Sequence, residues 1–143
     1  MNFDLGSNVG VGISILGGAT ITATTTGETI DLAGFNSACA VLGVGAVAIA
    51  DGLNYFTFTI QVGDASDMSD AASATITRAI TDAGATWDRL INAATEANNA
   101  YLIGFNTGGK RYCRIVMTAM GLASACVTGV IVKGDPIRKP ATI

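Results

Sequence analysis

From Asn54 to Val62 the chain alternates strictly, with Phe56, Phe58, Ile60 and Val62 on one side and Tyr55, Thr57, Thr59 and Gln61 on the other. A period of two is the mark of a half-buried antiparallel strand. The pattern returns from Arg111 to Ala119, directly after the turn sequence Asn106-Thr107-Gly108-Gly109. Val9 to Leu16 and Ala19 to Thr26 read as two strands of a hairpin turning at Gly17-Gly18. Shorter strands are predicted at Thr29 to Leu32, Trp87 to Ile91, Ala100 to Phe105 and Ala125 to Val132, with turn chemistry at Ala97-Asn98-Asn99, Thr107-Gly108-Gly109 and Gly121. Ala38 to Gly45 is a continuous apolar run, suited to a strand buried on both faces or lying at a subunit contact. Many short strands with regular turns predict a mainly β fold, an antiparallel β-sandwich or jelly roll, in preference to an open α/β sheet.

Two stretches break the pattern. Asp64 to Gly84 opens on Asp64, Asp67 and Asp70, offers Ser69 as an N-cap, and repeats Ala72, Ile76, Ala79, Ile80 and Ala83 at roughly helical spacing before Gly84. It reads either as one short helix within 69–84 or as an ordered loop, because Thr75 and Thr77 keep helix propensity low. After Gly134, Pro136 and Pro140 obstruct ladder pairing, so 134–143 is expected to be an extended C-terminal arm on a single sandwich domain spanning 1–133.

Composition changes the picture in one respect. The 143 residues are 50% apolar but only 13% charged, and the mean hydropathy is +0.48. A typical globular chain has about 25% charged residues. So little charge predicts that part of the exterior is covered by other copies or by a larger partner. The net charge of -3 argues against a nucleic-acid partner, since phosphate binders carry a basic surplus. No membrane association is expected either: the longest apolar run, Ala38 to Ala50, is broken by Gly43 and Gly45 and falls short of the roughly 20 residues a spanning helix needs. The start, Met1 to Gly6, lacks the positive region of a secretory leader.

Candidate chemistry is sparse. Cys39, Cys113 and Cys126 form no CxxC pair and sit in apolar or alternating stretches, where free buried thiols are expected; with no histidine in the chain, structural zinc is not. Gly104 to Arg111 nearly spells a phosphate-binding loop, but Arg111 stands where Ser or Thr would hold magnesium, and a strand follows where a helix should open. Gly43 to Ala48 faintly matches a dinucleotide fingerprint with no helix after it. The spacing of Asp64, Asp67 and Asp70 does not match a calcium loop, so a solvated acidic loop is the better reading. No catalytic, cofactor or metal site is therefore expected. The remaining concentration of chemistry is positive charge: Lys110, Arg111 and Arg114 at one strand start, and Lys133, Arg138 and Lys139 beside Pro136 and Pro140 near the end. These residues are either an interface for an acidic partner or ordinary solvated strand ends.

Four stretches carry a resemblance. Gly108-Gly109-Lys110-Arg111-Tyr112-Cys113-Arg114-Ile115-Val116-Met117, the strand Val127 to Pro136, and the closing Arg138-Lys139-Pro140-Ala141 resemble small β-rich virion proteins of tailed bacteriophages. In that family a "KRYVR" strand and a final "VxVxxGxP" strand precede a tail bearing Pro and Arg. Tyr55 to Gln61, with the acidic loop and Trp87 after it, is similar to the family's earlier strand of "YFTxxVQxSDD" type. The resemblance covers roughly Asp31 to the end. This chain departs from it in Val62-Gly63, where His-Ser or Glu-Ser is common, and in Ala71 to Gly84, which looks like an insertion. The resemblance implies a β-sandwich on the phage head, made in the host cytoplasm and carried in the virion. It would be a capsid decoration or cement protein that binds the major capsid protein and copies of itself, as a homo-oligomer such as a trimer, without turnover or cofactor. A head-tail or tail component, and a carbohydrate- or receptor-binding sandwich, are the alternative readings.

Overall fold

The computed structural model describes residues 8–80 and 91–136, and shows two antiparallel sheets packed face to face. The strands are β1 Gly10–Ile15, β2 Thr20–Ile21, β3 Thr25–Thr26, β4 Ile30–Asp31, β5 Phe35–Ile49, β6 Tyr55–Gly63, β7 Ala72–Ser73, β8 Thr75–Ile80, β9 Ala100–Asn106, β10 Tyr112–Met120 and β11 Ser124–Pro136. Sheet A has the order β1-β11-β5-β9-β8, with β2 also on β11; sheet B has the order β3-β10-β6-β7, with β4 also on β10. The mainly β sandwich read from the alternation is the observed fold. Among the described residues the helical content is one 3-10 turn, Ala94–Glu96.

The inward side of each strand supplies the core. Sheet B contributes Phe56, Phe58, Ile60 and Val62 from β6 and Cys113, Ile115 and Met117 from β10; sheet A contributes Ala40, Leu42 and Val44 from β5, Tyr101, Ile103 and Phe105 from β9, and Val127 and Ile131 from β11. Both alternating segments thus bury the face that their period assigns to the core. The strand at Ala38–Gly45 is central in sheet A, between β11 and β9, and runs to 15 residues. Its two faces differ: Ala40, Leu42 and Val44 are buried inside, while Cys39, Val41 and Gly43 are only half-buried outside.

Three sequence expectations change. First, Gly17-Gly18 makes no hairpin. β1 and β2 both lie antiparallel along β11, with Ile15 opposite Gly129 and Thr20 opposite Cys126, so the chain bulges at the glycines and continues in the same direction. Gly17 passes so close over Thr128 that a Cβ there would collide with its hydroxyl, and Gly18 has a φ of +114°. The glycines thus permit a close crossing, where a hairpin would have used them for reversal. The chain then changes sheets, and β3 and β4 pair with β10.

Second, no helix forms over the described part of 69–84, where Ala72–Ser73 pairs with β6 and Thr75–Ile80 with β9; 81–84 lie outside the described residues. β-branched Thr75, Ile76 and Thr77 favour the pleat, and a free edge on β9 accepts them. Ser69 is not an N-cap; its N–H donates to Asp67 Oδ1 at 3.0 Å in a tight turn. Third, residues 134–136 of the expected arm belong to β11, which stays in the ladder through Gly134 opposite Ser37 and Pro136 opposite Phe35. A proline at the last position of a strand costs little, since no further pairing is asked of its missing N–H. Residues 137–143 lie outside the described residues, as does all but the last residue of the strand expected at Trp87 to Ile91; Ile91 makes an isolated bridge to Phe56.

One side of the sandwich is closed by a serine. Between β3 and β4 the chain bulges at Gly27-Glu28, leaving a gap in the ladder against β10. Ser14 of β1 reaches across from sheet A: its hydroxyl donates to Glu28 O at 2.9 Å and accepts Ile115 N–H at 3.0 Å. Gly27 N–H donates to Ile115 O at 2.8 Å and Glu28 N–H to Ser14 O at 2.7 Å. The hydroxyl stands in for the backbone carbonyl that the bulge removes, so the buried Ile115 N–H keeps a partner.

Candidate interfaces

Three of the predicted cations converge at the end of the sandwich where β5 begins and β9 turns into β10. Gly108 and Gly109 take φ values of +61° and +73°, and Lys110 N–H closes the turn on Thr107 O at 3.0 Å. This geometry aims Lys110 and Arg111 outward beside the loop Leu32–Asn36. Between them lies an open cleft of about 530 Å³, with Asn36, Asn106, Lys110 and Arg111 among its lining residues. The sequence that nearly spelled a phosphate loop is a strand-to-strand turn.

These charges are engaged within the fold. Lys110 Nζ lies 2.6 Å from Asp64 Oδ2, and Arg111 grips Asp31 through Nε at 3.2 Å and Nη2 at 3.0 Å. The Arg111 guanidinium holds the Asp31 carboxyl below its ordinary pKa, partial burial opposing it. Lys133 Nζ donates to Asp31 O at 3.1 Å and sits 5.0 Å above the Phe35 ring. Pro136 is nearby through its pairing with Phe35. Arg114 stands apart on the outer face of sheet B, donating to Gln61 Oε1 at 2.8 Å. Arg138, Lys139 and Pro140 lie outside the described residues.

The acidic loop is similarly self-contained. Asp70 accepts the N–H groups of Asp64 and Ala65, which hold its carboxyl below the usual range, and Asp67 accepts Ser69 N–H. These carboxylates organise their own loop. The cysteines are free thiols, but of the three expected to be buried only Cys113 is, with Cys39 and Cys126 half-buried; burial pushes the Cys113 pKa up to about 12 and raises that of Cys39 as well.

At the opposite end are residues that sequence reasoning missed. The β5–β6 loop and the β10–β11 turn lie side by side, exposing Leu53 at 83% and Leu122 at 76%, with Ile49 and Met120 partly exposed beside them. Both loops are braced. Asp51 Oδ1 accepts the N–H groups of Leu53 and Asn54 at 2.8 Å, and Asn54 Oδ1 accepts Leu122 N–H at 2.7 Å. The Asn54 side chain, then those two N–H groups, lower the Asp51 pKa. Gly121, at φ +64°, is needed because a Cβ would strike Asn54 Oδ1. The signal was present in Asp51-Gly52-Leu53-Asn54 and Gly121-Leu122, where a leucine sits inside turn chemistry that normally carries polar residues.

The two outer faces contrast. On sheet B the outward positions of β6 are Tyr55, Thr57, Thr59 and Gln61, a half-buried polar row. On sheet A they include Val11, Ile13, Val130, Val132, Val41, Cys39 and Leu102.

No protein-family model matches this chain, and no curated protein matches it. Among solved structures it is similar to one described as the crystal structure of SPBc2 prophage-derived protein YomS, with a TM-score of 0.48 and 12% identity over 87% of this chain and 93% of that one.

Proposed function

We propose that this chain is a structural virion protein of a tailed bacteriophage, a capsid decoration or cement subunit. It sits on the outside of the head, binds the major capsid protein and copies of itself, and stabilises contacts between neighbouring capsomers. It acts by binding and transforms no substrate. Its strands at Gly108 to Met117 and Val127 to Pro136 support the phage reading through their resemblance to small virion proteins.

The observation that carries the binding role is where the exposed apolar surface lies. Leu53 and Leu122 project from two loops that are joined through the Asn54 side chain, which accepts Leu122 N–H, and braced by Asp51, which accepts Leu53 N–H. Exposed leucines on floppy loops would lose ordering entropy on docking; braced ones lose little, so their burial counts toward affinity. Covering a leucine is worth about 1.5 to 3 kcal/mol, modest for one copy but sufficient on a symmetric shell where many copies act together. A glycan-binding face is less well served. Tyr55 pairs with Met120 and Tyr112 with Gly63 at opposite ends of the β6–β10 ladder, roughly 27 Å apart at about 3.4 Å per residue, so they form no shared stacking platform.

The test is co-sedimentation of the purified chain with phage heads that lack it. The expected result is saturable binding that Leu53→Asp with Leu122→Asp weakens by roughly tenfold or more while the melting temperature holds. Binding to tails alone, or to neither part of the particle, would overturn the decoration role.

A further inference from the structure

We infer that the outer face of sheet A is a self-association surface, on which a second copy of this chain packs sheet against sheet across a two-fold axis. The inference rests on the assembly role proposed above and names the surface that joins one copy to another.

The strand β1 gives the first argument. Up to the bulge after Ile13 its inward positions are Gly10 and Gly12 and its outward ones are Val11 and Ile13, exposed at 63% and 50%; Ser14 and Ile15 beyond the bulge are both buried. An edge strand facing water would carry the reverse pattern. The glycines are there because the space beneath is already filled. A Cβ on Gly12 would meet Ile30 at 2.8 Å, and one on Gly10 would meet Lys133 at the same distance. Nothing in the fold requires valine and isoleucine on the outside.

Register then joins these residues into one surface. Ile13 lies opposite Val130, Val130 opposite Val41, and Val41 opposite Leu102, a ridge of branched side chains across four strands. Beside it Val11, Val132, Cys39 and Gly104 form a second row. On the other flank Thr128, Gly43 and Ala100 form a trough. The trough is not imposed by packing within the chain, since a Cβ on Gly43 would meet nothing nearer than Thr128 O at 4.0 Å. A ridge of one copy laid in the trough of the other is the way aligned sheets interdigitate.

Charge and area select the occupant. A two-fold axis sets each group near it against its own twin, so any charge there would meet a like charge; the ridge, second row and trough carry none on β1, β11, β5 and β9, and Arg78, opposite Gly104 on the edge strand β8, stands at the margin of the face. Ser37 and Asn106 at one end and Thr20 at the other provide a polar rim. Four strands about 4.8 Å apart and a ladder of about eight residues at 3.4 Å each give a face of roughly 19 by 27 Å. That is on the order of 500 Å² per copy and about 1,000 Å² for a pair, at the lower edge of specific interfaces.

Sedimentation equilibrium on the full chain tests the pairing. The expected mass at low micromolar concentration is twice the 14.4 kDa of one chain. Ile13→Lys with Leu102→Lys should raise the dissociation constant by roughly 100-fold while circular dichroism and melting temperature stay near wild type. Gly43→Val fills the trough without removing a contact and should also separate the copies. Alkylation of Cys39, followed by peptide mass spectrometry, should be slow in the wild type and roughly tenfold faster in the lysine variant. A wild-type monomer, a trimer, or a dimer that all these variants leave intact would overturn the inference. A monomer that still binds heads would do so while sparing the decoration role, and if the lysine variant then lost head binding the face would belong to the capsid. A dimer that binds no particle would spare the pairing and overturn the role.

Discussion

Phe58 shows how an inward residue supports the fold. It is 8% exposed in the β6 row that faces sheet A, so Phe58→Ala removes a packed ring and leaves a cavity that the opposing sheet cannot close. The expected cost is about 3 to 5 kcal/mol, read as a shift in denaturant midpoint; an unchanged midpoint would reject the assignment. At the surface, Asp31 links stability to pH. Its folded pKa lies below the ordinary value of 3.8 because Arg111 bonds its ionised form. A lowered carboxylate pKa gives stability that is present above the unfolded value and lost as pH falls through the folded one. Arg111→Gln should therefore lower the melting temperature slightly at pH 7, with a gap from wild type that closes below pH 4, the exposure of the pair keeping the effect small. A gap that widens in acid would contradict the pairing. Glu96 has the opposite sign: burial raises its pKa against the pull of the Asn92 and Ala93 N–H groups, so its contribution falls as pH rises.

At the scale of the element, the clamp between β1 and β10 is the most exacting join. Ser14→Ala leaves the buried Ile115 N–H without its acceptor, and the expected loss is about 1 to 3 kcal/mol. Ser14→Thr, which keeps the hydroxyl, should lose less if the site admits the methyl group; hydrogen exchange at the Ile115 amide reports the bond directly. This join also marks the limit of what the chain's pattern can tell. Strands with a clean period of two, β6 and β10, were legible because their alternation is set by burial on a single side. β1 has the same alternation, but Val11 and Ile13 face out while Ile15, past a bulge, is buried, and only contacts such as that of Gly12 with Ile30 reveal this. Gly17-Gly18 carries the composition of a turn, yet the partner of both flanking strands is β11, more than a hundred residues away in sequence. The spacing at Ala72 to Ile80 suits a helix, and the open edge of β9 decides otherwise. The candidate interfaces were legible in part. The cations were found, but their commitment to Asp31 and Asp64 depends on long-range contacts, and the leucines of the tip were hidden inside turn sequences.

For the molecule as a whole, the scarcity of charge and the placement of apolar side chains point the same way. A 143-residue chain with 13% charged residues has one polar sheet face, one apolar sheet face and one apolar tip. In the proposed assembly water covers sheet B, a second copy covers sheet A, and the capsid shell covers Leu53 and Leu122. Cryo-electron microscopy of the particle that carries this chain tests that arrangement most directly. The predicted map holds the sandwich at regular positions on the outside of the head, with the tip seated on the shell and sheet A packed on a neighbouring copy. A head surface without this chain, or copies placed with both apolar surfaces open to solvent, would contradict it.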